Sequence, residues 1–499
     1  MRNPKRIACT MAAFLVAIVA FAQWNFTVDT TFQAEVEGRN INDLMVMPDG
    51  KIFLSGRIRF LGDDFDRGSS KLLANGARDM SFPSFPETTG GGKITPWESG
   101  FYVSNGLVRR LNSEGLIDPA FISLNLGPYF YSLQGGDYHV FPDGRVLISG
   151  NHLLSDSVRG FEGLYQLVWF TNTGYLDTTR IHRSSGNCAV YRFEELPSGQ
   201  FIVNGICDQF DGQPVDRIFR VNADGSVDTS FHTGVFWGSA FDYLPLGDGR
   251  IYVAGRYLRS EDTEDTLQVA RFLANGALDP SFAPPQFRMS TLPAVLGASA
   301  TSVQPWLDGT LLVTGKFELV NGQPRRGLCV LDTNGTLLPA FHDQGVSPFF
   351  YTDAGEDLYS ALVTSTAYDS TNAHLYIAGA YSGYTDATGH YPDQRFITRL
   401  KVSELSTAVP DQAPQRGSLQ LWPNPAAGHV WLRYALPGHH GQVHLRVRDS
   451  QGRVLFATPA SGEEGQVLWD SRGVSTGVYT VELIREGTVE RTERLVIQP

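Results

Sequence analysis

Apolar and polar residues alternate along this chain in short runs, and the runs recur. A step of six residues, opening at a turn and closing at a glycine, appears seven times. The copies are Gly50 to Gly56, Gly100 to Gly106, Gly144 to Gly150, Gly199 to Gly205, Gly249 to Gly255, Gly309 to Gly315 and, with alanine at its start, Ala373 to Gly379. They lie about fifty residues apart, an interval that suits the blades of a β-propeller. Each β-branched and aromatic run predicts a buried strand. The turns before them, such as Pro48-Asp49-Gly50 and Pro142-Asp143-Gly144, carry an Asp that bonds the local backbone and a Gly that accepts positive φ. The closing glycine permits a bend or the close approach of another backbone.

A second element follows each step. A short apolar strand leads to Asn-Gly or a near equivalent, at Asn75-Gly76, Asn112 to Gly115, Asn172 to Gly174, Asn222 to Gly225, Asn275-Gly276 and Asn334-Gly335. Asp-x-x-Phe comes next, at Asp79/Phe82, Asp118/Phe121, Asp228/Phe231 and Asp279/Phe282, with degenerate copies at Asp177 to Arg180 and Leu338 to Phe341. The Asp is expected to close a turn and the Phe to pack between sheets.

Each unit therefore predicts four strands, a to d, with short a–b and c–d turns and longer b–c and d–a connections, the second unit having almost no b–c loop. A lone four-stranded sheet exposes two faces and two edges, and radial stacking buries the faces. The expected fold is all-β, a seven-bladed β-propeller over residues 23–402. A linear β-solenoid is the alternative, with shorter repeats. The seventh unit ends at Arg399-Leu400-Lys401-Val402 without Asp-x-x-Phe, while an orphan copy, Asp29 to Phe32, stands near the start. The segment from Trp24 to Phe32 is expected to pair with residues 396–402 and close the ring, covering an open sheet edge.

Residues 403–417, with Pro410 and Pro414 among small polar residues, read as a linker. Residues 418–499 hold six or more short alternating strands, the pattern of a small β-sandwich.

The run Arg220-Val221-Asn222-Ala223-Asp224-Gly225-Ser226-Val227-Asp228-Thr229-Ser230-Phe231 resembles the delta-60 repeat family. That resemblance implies a propeller-like fold in secreted bacterial proteins and no specific activity. The tail resembles the C-terminal sorting domain of the type IX secretion system. The matching residues are Pro423-Asn424-Pro425, Gly452 within Asp449 to Arg453, Gly477-Val478-Tyr479 and Arg494 to Ile497, with Trp422 where the family usually has Tyr. This resemblance implies handling by the type IX secretion machinery, removal of the tail and, in some relatives, attachment to surface lipopolysaccharide.

Residues 1–22 read as a secretory signal peptide: Arg2, Lys5 and Arg6, an apolar run from Ala8 to Phe21, then Ala20-Phe21-Ala22 for cleavage. No later segment is apolar enough to span a bilayer as a helix. The net charge is −12, and loss of those three basic residues leaves 37 basic against 52 acidic ones. Such a surface repels phosphate backbones and argues against nucleic-acid binding. Cys188 and Cys207 flank the turn Pro197-Ser198-Gly199, so they form either a disulfide, which export permits, or two buried thiols. Cys329 reads as a core residue.

No catalytic motif, cofactor motif or convincing metal-ligand set emerges. His440 and His444 flank a turn. Asn222, Asp224 and Asp228 recur as plain turn chemistry, and Glu261 to Asp265 reads as a solvated loop. The d–a connections carry Tyr129, Phe130, Tyr131, Phe349, Phe350 and Tyr351, with Trp237 nearby, and these aromatics are the candidate ligand-binding residues. They stack on a glycan, anchor a surface-protein ligand or serve as inter-blade core. The leading reading is an exported surface or extracellular binding and adhesion protein. The alternatives are a propeller enzyme acting on extracellular glycans, as hydrolase or lyase, and a non-binding structural spacer.

Overall fold

The computed structural model describes residues 23–498 apart from 38–39, 83–90, 105–106, 123–128, 186–187, 262–264, 291–296, 339–343, 354–355, 406–417, 427, 437–441 and 486–487. The signal-peptide and linker assignments lie outside the described residues, except for 403–405, which continue a strand. The chain divides into two compact units, residues 1–406 and 407–499. Both are all-β, and among the described residues no helix is long and apolar enough to cross a membrane.

The larger unit is propeller-like. Each repeat forms an antiparallel ladder in chain order, and the ladders of the sixth and seventh are joined into one sheet through Lys316 and Leu362. The first contains Asn40–Val46, Ile52–Ile58 and Arg67–Leu72, and the second Ile94–Trp97, Gly100–Ser104 and Val108–Leu111. The third contains Phe130–Val140, Val146–Asp156 and Phe161–Phe170, and the fourth Ala189–Glu195, Phe201–Ile206 and Ile218–Val221. The fifth contains Trp237–Pro245, Ile251–Leu258 and Leu267–Phe272, and the sixth Ser299–Pro305, Leu311–Lys316 and Leu328–Leu331. The seventh contains Leu362–Asp369, His374–Ala380 and Ile397–Leu405.

The expected fourth strand is shorter than the sequence suggests. In the fourth unit it is the single bridge Val221 to Val227, and in the fifth Phe272 to Leu278. The Asp-x-x-Phe turn redirects the chain immediately afterwards, so no ladder extends. The seventh unit differs. Its fourth strand is Gln23–Val28, paired antiparallel to residues 400–405 from Gln23 opposite Leu405 to Val28 opposite Leu400. The N-terminal segment thus pairs with the expected strand, but at residues 400–405 instead of 396–402, and the ladder ends at Val28, before Asp29 to Phe32.

The closing glycine of the repeated step has a specific task. Gly56, Gly205, Gly255, Gly315 and Gly379 each pair with the residue just before a bulge in the first strand of their own unit. A Cβ on Gly379 would lie 2.0 Å from the carbonyl oxygen of Leu362, and one on Gly255 2.2 Å from that of Ser239. Only glycine admits the bulged backbone this closely.

The second motif locks units together. Arg220 pairs with Asp228 of its own unit at 2.8 Å, covers the Phe231 ring at 4.6 Å, and donates Nη1 to the Ala274 carbonyl of the next unit at 2.8 Å. Arg110 repeats the pattern with Asp118, Phe121 and the Asn172 carbonyl, and Arg271 with Asp279, Phe282 and the Thr333 carbonyl. Arg399 repeats it with Asp29, Phe32 and the Ala74 carbonyl of the first unit. The sixth unit has Val330 and Leu338 at the equivalent positions, and its seam is apolar, built on Phe26, Trp306, Leu328 and Val363. Apolar packing continues at the other seams, as where Phe53 of the first unit meets Phe101 of the second at 4.4 Å. Each such buried side chain contributes about 1.5–3 kcal/mol.

The smaller unit has two antiparallel sheets. One contains Ser418–Trp422, His429–Ala435 and Glu464–Asp470. The other runs Val454–Ser461, Gln442–Arg448, Gly477–Arg485 and Thr488–Ile497. Val430, Leu432 and Trp469 from the first share one core with Leu445, Val481 and Leu495 from the second.

Candidate functional site

The third sheet carries the most prominent candidate surface. Its strands run to ten or eleven residues, while the corresponding strands of the fourth run to four to seven. Its second strand starts after the short Pro142-Asp143-Gly144 turn, so the extra length projects on the side of the long connections. There, Tyr131 is opposite Leu153, and Leu153 is opposite Leu164. All three are exposed, Tyr131 by 63%, and Tyr129 and Leu133 extend the same outward set. Arg159 lies 5.9 Å over the Tyr129 ring.

Phe130 does not belong to that surface. Strand alternation turns it inward, 8% exposed, against Phe170 at 5.2 Å and His152 at 5.3 Å. It is a core residue, and the period-2 rule applied to Tyr129-Phe130-Tyr131 would have separated it from its neighbours. Trp237 opens the first strand of the fifth sheet, half exposed, with the Arg256 guanidinium 5.6 Å over its ring. Phe349 packs against Phe396 at 4.9 Å. Phe350 and Tyr351 lie in the hairpin strand Phe349–Asp353, and their side chains fall outside the described residues.

A second polar constellation joins the first strands of the sheets, and sequence reading missed it. Asp43 of the first unit accepts from Ser365 Oγ of the seventh at 2.6 Å and from the Ile94 amide of the second at 2.8 Å. Asp137 of the third unit lies 3.5 Å from Lys93 of the second and 3.2 Å from Arg192 of the fourth. Asp242 of the fifth lies 3.3 Å from Arg192 and accepts from Ser302 Oγ of the sixth at 2.8 Å. Thr301 Oγ1 of the sixth donates to the Val363 carbonyl of the seventh at 2.6 Å. Three aspartates thus each tie three successive units. Burial pushes the Asp137 carboxyl up, but the Arg192 and Lys93 cations outweigh it and hold the group below its ordinary range. Burial dominates at Asp43 and raises it. Glu194, on the same strand as Arg192, is also raised by burial. Asp137 and Asp242 both face Arg192, an arrangement that stiffens the inner strands.

Of the tail residues singled out by sequence, Tyr479 is buried, while Pro423, Asn424, Pro425 and Gly452 lie at the surface and serve the backbone of turns and strand ends. Asn424 Nδ2 donates to the Arg494 carbonyl at 2.7 Å, and its Oδ1 accepts the Val496 amide at 2.9 Å. Pro423 and Pro425 follow cis peptide bonds on either side of it. Tyr479 is buried and donates its hydroxyl to the Ser475 carbonyl at 2.5 Å, while Gly477 begins the strand that carries it. Gly452 takes φ 79° in the turn closed by Asp449.

Cys188 and Cys207 are joined as a disulfide, their Cα atoms 4.5 Å apart, and Cys329 is a buried free thiol. Asp224 accepts from Ser226 and Asp228 from Ser230 and Arg220, so both serve turns and locks. His444 sits within a strand, and His440 lies outside the described residues. Among the described residues no group of three or more His, Cys, Asp or Glu is placed to hold a metal ion.

Comparison with known proteins agrees with this architecture. Residues 196–231, 246–282 and 307–341 match the family described as domain of unknown function (DUF5122) beta-propeller. Residues 420–498 match the secretion system C-terminal sorting domain. No curated protein matches the sequence. Among solved structures, the chain is similar to PorZ, a surface component of the type-IX secretion system of Porphyromonas gingivalis. Identity is 13% and TM-score 0.33, covering 93% of this chain and 66% of that one. It is also similar to apo AztD from Citrobacter koseri, with 10% identity and TM-score 0.25, covering 87% of this chain and 98% of that one. Superpositions at this level leave the functional reading to the chain's own residues. The protein carries DUF5122-type β-propeller repeats followed by a type IX sorting domain, and that tail marks it for export to the cell surface or beyond.

Proposed function

We propose that this is an exported binding protein: a seven-bladed β-propeller presenting a ligand surface, joined by a linker at 406–417 to a β-sandwich sorting domain. The carrying observation is the outward row Tyr131–Leu153–Leu164 with Tyr129 and Leu133 beside it, on a sheet that projects on the long-connection side. A rigid sheet that holds aromatic rings in solvent suits stacking on a glycan or anchoring a surface protein. The rigidity comes from the locks between units and from the aspartate ties along the first strands. Signal-peptide-dependent export delivers the protein to the outer surface or the medium.

An extracellular glycan hydrolase or lyase is the weaker reading. Asp137 and Asp242, which meet at the first strands of the third to fifth units, both hold Arg192, whereas glycan hydrolysis needs a pair free to exchange protons. The exported protein, screened on a glycan array and in cell-surface pull-downs, should bind at least one ligand, and Tyr131→Ala should weaken that binding. Absence of any ligand would favour the structural spacer, and turnover of an arrayed glycan would favour the enzyme.

A further inference from the structure

The sorting domain must be read by the export machinery, yet Asn424 and Tyr479 of its signature are occupied in holding the domain together. Asn424 clamps the last strand through two hydrogen bonds, and Tyr479 is buried in the core. Residues committed in this way specify the fold and leave little for a partner to grip.

The two outward sheet faces differ sharply. On the four-stranded sheet, Arg446 is opposite Glu482, and Glu482 accepts from both Arg446 and Arg448. That face mixes this satisfied charge network with the exposed aliphatic residues Val454, Val478 and Val489. On the three-stranded sheet, Trp422 is opposite Trp431, and Trp431 is opposite Leu468. Trp422 is 70% exposed, Leu468 is 47% exposed and Trp431 is half-buried. The adjacent row is Gln420, Arg433 and Gln466, all exposed. Inward residues of the same strands, Val430, Leu432 and Trp469, supply the core. The outward tryptophans are therefore not required to fill it.

We propose that the Trp422–Trp431–Leu468 row is the docking face through which the secretion machinery recognises this tail. The inference rests on the sorting-domain assignment and adds the surface that carries it. The occupant is a protein component of that machinery, with an apolar groove wide enough for an indole and a carboxylate on the side facing Arg433. Exposed aromatics flanked by a polar rim are the usual composition of a protein-binding hot spot.

The test uses the full chain, expressed in a bacterium that has the machinery, with the exported fraction measured against the periplasmic one. Trp422→Gln combined with Leu468→Gln should lower the exported fraction by about tenfold or more, while the thermal midpoint of the tail transition in the purified full chain stays within a few degrees. Val454→Gln, an exposed apolar position on the other sheet, should leave export unchanged. Should the double variant misfold, Arg433→Glu alone is the second arm, and it should also reduce export. Export at the parental level by folded double variant, or by Arg433→Glu, would overturn the docking face. So would an equal loss with Val454→Gln. Self-association abolished by the double variant with export intact would show that a second copy occupies the face. Deletion of residues 418–499 separates the two levels: if the truncated chain is still exported, the sorting assignment itself fails.

Discussion

Arg399 donates Nε to Asp29 at 2.9 Å, joining residues 370 positions apart in the chain. Asp29 is 2% exposed and Arg399 8%, with Lys401 3.3 Å from the same carboxylate. The pair completes in the seventh unit the lock that Arg220 and Asp228 make within the fourth. Removing one partner strands the other as a buried charge. Asp29→Ala is therefore expected to destabilise the propeller by about 3–5 kcal/mol, and a double-mutant cycle with Arg399→Ala in chemical denaturation should show strong coupling. Additive single effects would mean that the lock does not hold the ring.

The same motif predicts acid sensitivity. Burial pushes the Asp29 carboxyl up, but hydrogen bonds from Thr31 and the Arg399 charge outweigh it and bring it down to about 2. Asp79 falls to about 2 through hydrogen bonds from Ser81 and Lys51, and Asp228 to about 2 against its burial. A depressed folded-state value means stability that is fully present above the unfolded carboxylate range and is lost as pH falls toward the folded value. The thermal midpoint of the propeller should accordingly drop between about pH 4 and pH 2. Asp29→Asn should flatten that slope. A midpoint insensitive to pH over this interval would remove these carboxylates from the account of stability.

The Cys188–Cys207 bridge closes a short loop, the two residues standing 19 apart. Replacing both with alanine should cost about 2–4 kcal/mol. Intact mass of the chain without residues 1–22, and hence without Cys9, should show after alkylation one free thiol before reduction and three after.

The aromatic residues should separate by exposure. Tyr131→Ala and Trp237→Ala remove half-exposed or more exposed rings and should leave the thermal midpoint within a few degrees while weakening ligand binding. Phe130→Ala empties a packed position and should cost about 3–5 kcal/mol. Unfolding by Tyr131→Ala would assign that ring to the core instead.

Much of this was legible because the repeat is chemical as well as periodic. Asp-x-x-Phe and the closing glycine each do one physical job in unit after unit, so an orphan copy at Asp29 to Phe32 announced where it belonged. The fourth strand was overestimated because sequence shows where a strand begins, whereas the turn that follows Val227 ends it after one bridge. The aspartate ties were invisible for a different reason. Asp43, Asp137 and Asp242 work with partners as unlike as Ser365, Lys93 and Arg192, drawn from other units. The bulge in each first strand also shifts the alternation by one just where these residues stand. The aromatic surface was half readable: alternation distinguishes Phe130 from Tyr129 and Tyr131, but the extra length of the third sheet becomes apparent only once the strands are paired.

The strand Gln23–Val28 also has a mechanical meaning. Its pairing is antiparallel, with Gln23 opposite Leu405, so the segment leading from the N-terminus and the segment leading to the tail leave the sheet at the same end. Tension between those two points loads the terminal hydrogen bonds first and then each pair in succession, like a zip, instead of sharing the force among all of them as a sheared strand would. A pull on the tail against a held N-terminus therefore peels the clasp at low force. The same six residue pairs resist far more when the strand is dragged along its own axis.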